Sequence, residues 1–364
     1  MLTHLAGPFV VGIDAGGTKT RCVVLTLGGA LAGAGTGPGA NPNSGGDTAG
    51  ALSEALTEAL GSIDPSQVIG GVFGIAGAGS AGRPAAVAAA RRAWQTSGLR
   101  GSPAVVTDIA VAFAAGTSAE KGIVVFSGTG AGAAVINDGA IVRRADGYGW
   151  LVGDEGSAVW LGREAVRAAL AAFDGRGSPT LLTESVPRAL LGPGAVAEFA
   201  TPRHRGRHRR ALALAGAAGD LTGPGGGTAV LIPRPAPPPD PRLAQAIVKE
   251  VYGRPPAALG RLGPVVAAAA AAGDDVARRI TEEAAAVLLR DVDAVRPALG
   301  ETYAPVVMHG SVLRDGPVAD AVRAGLRDRF SADPRSAGDG AVGAAGMALR
   351  RLGYPVPGPR RAGS

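Results

Sequence analysis

Five short stretches of the chain combine residue types that could handle phosphate and an attacking hydroxyl. The first is Gly12-Ile13-Asp14-Ala15-Gly16-Gly17-Thr18-Lys19-Thr20. Its glycines permit a tight turn and a close approach of ligand to main chain. Successive backbone N–H groups in such a turn form a concavity for anions, and Thr18 and Lys19 add donors. Asp14 is out of place beside phosphate until a cation is added, because a carboxylate can hold Mg2+ through water next to phosphate oxygens. A second glycine-and-threonine turn stands at Gly128-Thr129-Gly130. Asp108 ends an apolar run, where a rigidly held carboxylate can accept a proton. Gly153-Asp154-Glu155-Gly156 opens a helix, and Gly310-Ser311 follows a strand. Phosphoryl transfer from ATP needs two phosphate grips, a metal tether, a base and a platform for the nucleotide. The five stretches supply one residue set for each, and no lysine loop of the P-loop type accompanies them.

Each stretch also has a plainer reading. The first is compatible with a simple hairpin turn. Asp108 and Asp154 suit the starts of helices, where negative charge meets the positive end of the dipole. Asn41, whose amide can both donate and accept, suits a turn before Pro42.

The elements that must position these residues follow from apolar runs and punctuation. Phe9–Ile13 and Cys22–Leu25 read as two buried strands, followed by a third strand within 28–46. Helices are expected over 47–60, capped by Asp47 or Thr48, and over 84–97, with strands at 68–76 and 104–108. From Gly122 the opening arrangement returns: strand 123–127, glycine turn, strand 131–136, Asn-Asp-Gly turn, strand 140–143. An internal repeat of a phosphate-gripping hairpin predicts two related domains facing one cleft, 1–118 and 119–364. Later helices are expected over 157–173, 243–251, 259–272, 274–295 and 317–330, a strand over 305–308, and a last helix ending at Arg350. The span 192–241, with its arginine run, Gly225-Gly226-Gly227 and six prolines after residue 232, reads as an irregular insertion.

Composition narrows the class. At 364 residues the chain can form two cored domains. The net charge of +6 lies largely in Arg203–Arg210 and the C-terminal tail, without interleaved aromatics, so no nucleic-acid partner is expected. His204 and His208 sit in that arginine run without an acidic or cysteine partner and are not read as metal ligands. One cysteine, Cys22, excludes a disulfide framework or cluster within one chain. The longest apolar stretch, 265–272, is far short of the ~20 residues of a spanning helix. A soluble cytoplasmic protein with no membrane partner is expected.

The ordered set resembles the actin/hexokinase ATPase superfold, and within it the BadF/BadG/BcrA/BcrD ATPases that include N-acetylglucosamine kinases. The similar pieces are the Asp14 turn, Gly39-Ala40-Asn41-Pro42, Val106-Thr107-Asp108 with Ala114-Ala115-Gly116, Ser127–Gly130, Gly149–Ala158, Gly273–Ala277 and Gly310–Leu313. The resemblance covers about 9–190 and 243–350. It implies an α/β, two-domain actin-like (ribonuclease H-like) fold with an interdomain cleft, and an ATP- and Mg2+-dependent kinase acting on the 6-hydroxyl of an amino sugar. N-acetylglucosamine is the first expectation and glucosamine the second; a homodimer is compatible with the resemblance. By resemblance Asp108 is the catalytic base and Asp14 holds the metal. Gly16, Gly17, Thr18, Lys19, Gly128, Thr129, Gly130, Gly310 and Ser311 then face ATP, and Asn41, Asp108, Gly130 and Asp154 face the sugar. Ala76 and Gly132 depart from positions where some relatives carry polar residues. A rival in the same fold, the ATPase that activates 2-hydroxyacyl-CoA dehydratases, needs cluster-ligating cysteines that Cys22 cannot supply. The rival from another class is a non-catalytic sugar-sensing regulator.

Overall fold

The computed structural model describes residues 7–42, 45–79, 81–200, 240–300 and 303–356. Two five-stranded mixed sheets form the framework. The first contains β1 (Phe9–Ala15), β2 (Lys19–Thr26), β3 (Leu31–Pro38), β4 (Val68–Ile75) and β5 (Ala104–Thr107), in the order β3-β2-β1-β4-β5. The second contains β6 (Lys121–Ser127), β7 (Ala131–Asn137), β8 (Ala140–Asp146), β9 (Val306–His309) and β10 (Arg335–Ser336), in the order β10-β9-β6-β7-β8. In each sheet the first three strands pair antiparallel and the fourth and fifth join in parallel. The internal repeat expected from the glycine turns therefore extends to the whole topology, 3-2-1-4-5 in both halves.

Helices cover both sheets. In the first half, α1 (Thr48–Leu60) and α2 (Arg83–Thr96) pack on the outer face, where Asp47 caps α1 by accepting from Gly50 N at 3.0 Å. Trp94 is buried there, edge-on to Phe73 with ring centroids 5.8 Å apart, and its indole donates to Arg100 O. In the second half, α4 (Ala158–Phe173), α5 (Leu182–Leu191), α7 (Pro241–Tyr252), α8 (Gly263–Ala271), α9 (Asp275–Val295) and α10 (Pro317–Arg327) enclose the larger core. Part of the span read as irregular is ordered: α6 (Pro193–Ala200) occupies its start, while Arg203–Arg210, His204, His208 and Gly225–Gly227 lie outside the described residues.

Two helices join the halves. On one side α3 (Asp108–Gly116) contributes Val111 to the core of the first sheet; on the other, Phe113 packs with Val124, Ala134 and Val307 of the second. The last helix, α11 (Gly340–Arg351), crosses the expected division at residue 118 and buries against β1 and α3 of the first half. Small residues make this docking possible. A Cβ on Gly12 would lie 2.1 Å from Ala341 O, and one on Gly343 would lie 2.4 Å from Val111 O. Among the described residues no helix is long and apolar enough to cross a membrane.

Candidate active site

The first glycine turn, Gly16–Thr18, joins β1 to β2 and is closed by Gly16 N donating to Lys19 O at 2.9 Å. The 39–41 segment folds onto it: Ala40 N donates to Gly16 O at 3.0 Å, and a Cβ on Gly39 would lie 2.2 Å from Gly17 O. Asn41 is thereby held beside the turn. Asp14, near the end of β1, is half-buried. Burial, together with the charges of Asp108 and Asp339, pushes its carboxyl up to about 7 against the pull of Lys19. The N-terminus of α11 closes this corner. Asp339 caps that helix and pairs with Arg21, and a Cβ on Gly340 would fall 2.2 Å from Asp14 Oδ2.

The second turn, Gly128–Gly130, joins β6 to β7 and is tied down from three sides. Gly128 N donates to Gly130 O at 2.8 Å, and Ala158 N, at the start of α4, donates to Gly128 O at 2.8 Å. Buried Ser127 donates its hydroxyl to Gly156 O. Gly310, with φ of 103°, lies so close that a Cβ would be 2.1 Å from Ser127 O. Gly310 and Ser311 thus sit against the second turn. His309, one residue earlier, is half-buried, and desolvation holds it below the usual imidazole range.

Asp108 was expected at a strand end. It is instead the first residue of α3, because Thr107 takes the cap and accepts from Ala110 N at 3.3 Å. Asp108 is therefore not needed as a cap. Burial pushes its carboxyl above the usual range, while the N–H groups of Ile109 and Asp108 and then the charge of Arg144 pull it down.

Asp154 is not the cap of α4 either; that role belongs to Ser157, which accepts from Trp160 N at 3.1 Å. Asp154 is 8% exposed and adopts φ of 54°. Its Oδ1 accepts from Ala131 N at 3.3 Å, and a Cβ on Gly130 would approach the same carboxylate to 3.1 Å. Burial raises its pKa, the Ala131 amide lowers it, Asp146 raises it and Arg144 lowers it. The fold thus gathers the second turn with Asp154, and the first turn with Asn41 and Asp14. Arg144 feels both Asp108 and Asp154.

Sequence reasoning passed over Arg144, Asp146, Asp339 and Asp291. The Asp146-Gly147 pair, a turn signal directly before the glycine-rich loop, could have drawn attention to Asp146. Trp150 also stands apart from the other two tryptophans. Trp94 and Trp160 are buried, but Trp150 is 43% exposed in the loop between Asp146 and Asp154.

The donor set fits magnesium in one way. Among the described residues no three His, Cys, Asp or Glu side chains converge at metal-ligand spacing. Asp14, crowded by Asp108 and Asp339, is a carboxylate whose charge a nearby cation would relieve. That suits an ion carried by nucleotide phosphates and tethered through water, not an all-protein cage.

The paired sheets and their identical strand order, each with a glycine turn between its first two strands, define an actin-like ATPase fold. The chain belongs to the BadF/BadG/BcrA/BcrD ATPase family, whose model matches residues 11–348. A curated N-acetylmuramic acid/N-acetylglucosamine kinase of Clostridium acetobutylicum is 41% identical over 85 residues, 23% of this chain and 28% of that protein. The chain thus matches little more than a quarter of that relative's length. The fold is shared with a Chromobacterium violaceum protein provisionally described as an N-acetylglucosamine kinase (23% identity, 93% of this chain and 98% of that one, TM-score 0.60). A Porphyromonas gingivalis protein with the same provisional description gives 19% identity, 94% and 99% coverage, and a TM-score of 0.62. A ROK family glucokinase from Streptomyces griseus, solved with glucose and AMPPNP, gives 17% identity, 94% and 99% coverage, and a TM-score of 0.51.

Proposed function

We propose that this protein is an ATP-dependent kinase that phosphorylates the 6-hydroxyl of an amino sugar, N-acetylglucosamine first and glucosamine second. The observation that carries the reading is the pair of carboxylates that both feel the charge of Arg144: half-buried Asp108 at the start of α3, and buried Asp154 against the second glycine turn. Family membership and the kinase relatives support it.

In this reading the cleft lies between a domain of residues 1–118, joined by α11, and the remainder. Gly16, Gly17, Thr18 and Lys19 grip the phosphates from one side, and Gly128, Thr129 and Gly130 from the other. Gly310 and Ser311 lie under the nucleoside. Asn41, Gly130 and Asp154 orient the sugar. Asp108 accepts the proton of the sugar hydroxyl as its oxygen bonds to the γ-phosphorus. The bond from that phosphorus to the bridging oxygen breaks, and ADP leaves. Magnesium, when bound, neutralises phosphate charge, and Asp14 is the residue that would tether it.

An ADP-release assay over hexoses and amino sugars tests the reading. Turnover with N-acetylglucosamine or glucosamine above that with glucose is expected. Sugar binding without turnover would favour the sensing regulator. Asp108→Asn should lower kcat by about 10²–10⁴-fold while ATP affinity, measured by calorimetry, stays within about twofold. Unchanged turnover would remove Asp108 as base.

A further inference from the structure

We infer that Asp146 is a positioning residue for the sugar end of the site: its carboxylate fixes the main chain of the 147–155 loop in the shape that aims Asp154 at the ligand. The inference rests on the sugar-kinase reading and adds a residue outside the set named for it. Asp146 is the last residue of β8, with φ of 54°. Its Oδ1 accepts from Asp154 N at 2.8 Å and from Tyr148 N at 3.4 Å, and its Oδ2 accepts from Glu155 N at 2.9 Å. One side chain thus collects amides from both ends of the loop.

The clamp is needed because of what it holds. A non-glycine residue in the left-handed region costs about 1–2 kcal/mol, and Asp154 is held there at φ of 54°. Its carboxylate must also meet Ala131 N beside the second turn. Between the clamped ends, Tyr148, Trp150, Leu151 and Val152 are exposed, so packing does little to shape the loop. The surroundings admit the Asp146 carboxylate and little else. A Cβ on Gly153 would lie 2.2 Å from Asp146 Oδ1. Across the ladder, Asp146 pairs with Gly132, whose φ of 154° brings a hypothetical Cβ within 2.6 Å of Ala145 O. Gly132, noted above as a departure from some relatives, is thereby explained by close backbone approach.

Charge around the clamp is arranged in keeping with this. Arg144 folds over Gly147, donates to its carbonyl at 3.3 Å and lies 5.5 Å from the centre of the Tyr148 ring. Among the described residues it forms no contact ion pair. From α9, Asp291 faces Asp146 and Glu155, with a buried Oδ2 that has no hydrogen-bond partner. Repulsion among these carboxylates opposes the loop's position, so the three amide bonds to Asp146 must hold it.

The test is the kinetics of Asp146→Asn and Asp146→Ala with N-acetylglucosamine and ATP, joined to amide exchange at Asp154 and Glu155 without ligand. Asn keeps one acceptor oxygen, so its KM for the sugar should rise by about fivefold, and that of Ala by about tenfold or more. KM for ATP should stay within about twofold in both, and both amides should exchange faster. An unchanged sugar KM, or an equal rise for ATP, overturns the inference. If the Ala variant does not fold, the Asn variant decides. If the wild-type enzyme turns over no sugar, the functional reading fails by itself. Amide exchange and calorimetric titration with N-acetylglucosamine then judge the clamp, and exchange in Asp146→Asn as slow as in wild type sinks it.

Discussion

The two glycine turns have the same place in the same topology, yet they are built on opposite principles. The first is charged and open. Gly17 and Thr18 are exposed, Asp14 stands near the end of β1, Lys19 begins β2, and Arg21 pairs with Asp339. The second carries no charged side chain, and Phe126 occupies the place of Asp14. It is fixed by main chain: Ala158 N on Gly128 O, the Ser127 hydroxyl on Gly156 O, and Gly310 pressed against Ser127. Duplication of a hairpin therefore did not duplicate its role. One copy is charged and exposed; the other is a fixed wall built against Asp154.

If that contrast is right, a methyl group should be damaging in the second turn's support. Gly310→Ala places a Cβ 2.1 Å from a backbone oxygen at a φ of 103°. Neither atom can step aside cheaply, so a loss of roughly 2–4 kcal/mol in urea unfolding and a collapse of ATP affinity are expected. Stability within about 0.5 kcal/mol of wild type would show that the second turn is not anchored there.

The charged turn should reveal itself through pH. Asp14 titrates near 7 in the folded chain, against 3.8 for the ordinary carboxyl. A raised pKa means that the unfolded chain sheds its proton first. The stability tied to neutral Asp14 is therefore full below about pH 4 and is lost as pH climbs toward 7. Asp14→Asn removes that loss. Without magnesium, the melting temperature of the variant should equal that of wild type at pH 4 and exceed it at pH 8. Magnesium with nucleotide should stabilise only the wild type in return. Melting curves that stay parallel from pH 4 to 8 would show that Asp14 is not held under this strain.

Much of this was legible in the chain. Apolar runs and glycine turns marked both hairpins, and of the two caps offered for α1, Asp47 is the one that serves. Asp108 was read as the end of a strand, and its place as the first residue of α3 was missed, since a Thr-Asp pair leaves open which residue caps. The return of α11 to the first half could not be read from order along the chain. It depends on small residues distant in sequence, Gly12 with Ala341 and Gly343 with Val111, meeting at backbone distance. β10, two residues long at a sheet edge, has no periodicity to detect. Asp146 was hidden for a related reason. Its meaning lies in amides two, eight and nine residues ahead, which only the bent loop brings to one carboxylate.

The smallest expected effect on the fold is the sharpest test of the contrast. A Cβ on Gly17 would meet nothing within 4 Å, and the residue carries no positive φ. Gly17→Ala should therefore leave urea stability within about 0.5 kcal/mol of wild type. Its open space is the room a phosphate would use, so the same methyl should raise KM for ATP by about tenfold while KM for the sugar stays put. The paired outcome matters more than either number. In the first turn a methyl is felt only by the nucleotide, and in the second turn's support, at Gly310, it is felt by the protein. Should Gly17→Ala bind ATP as wild type does, the space above the first turn is not where the phosphates lie, and the charge of Asp14 and Lys19 would need another purpose.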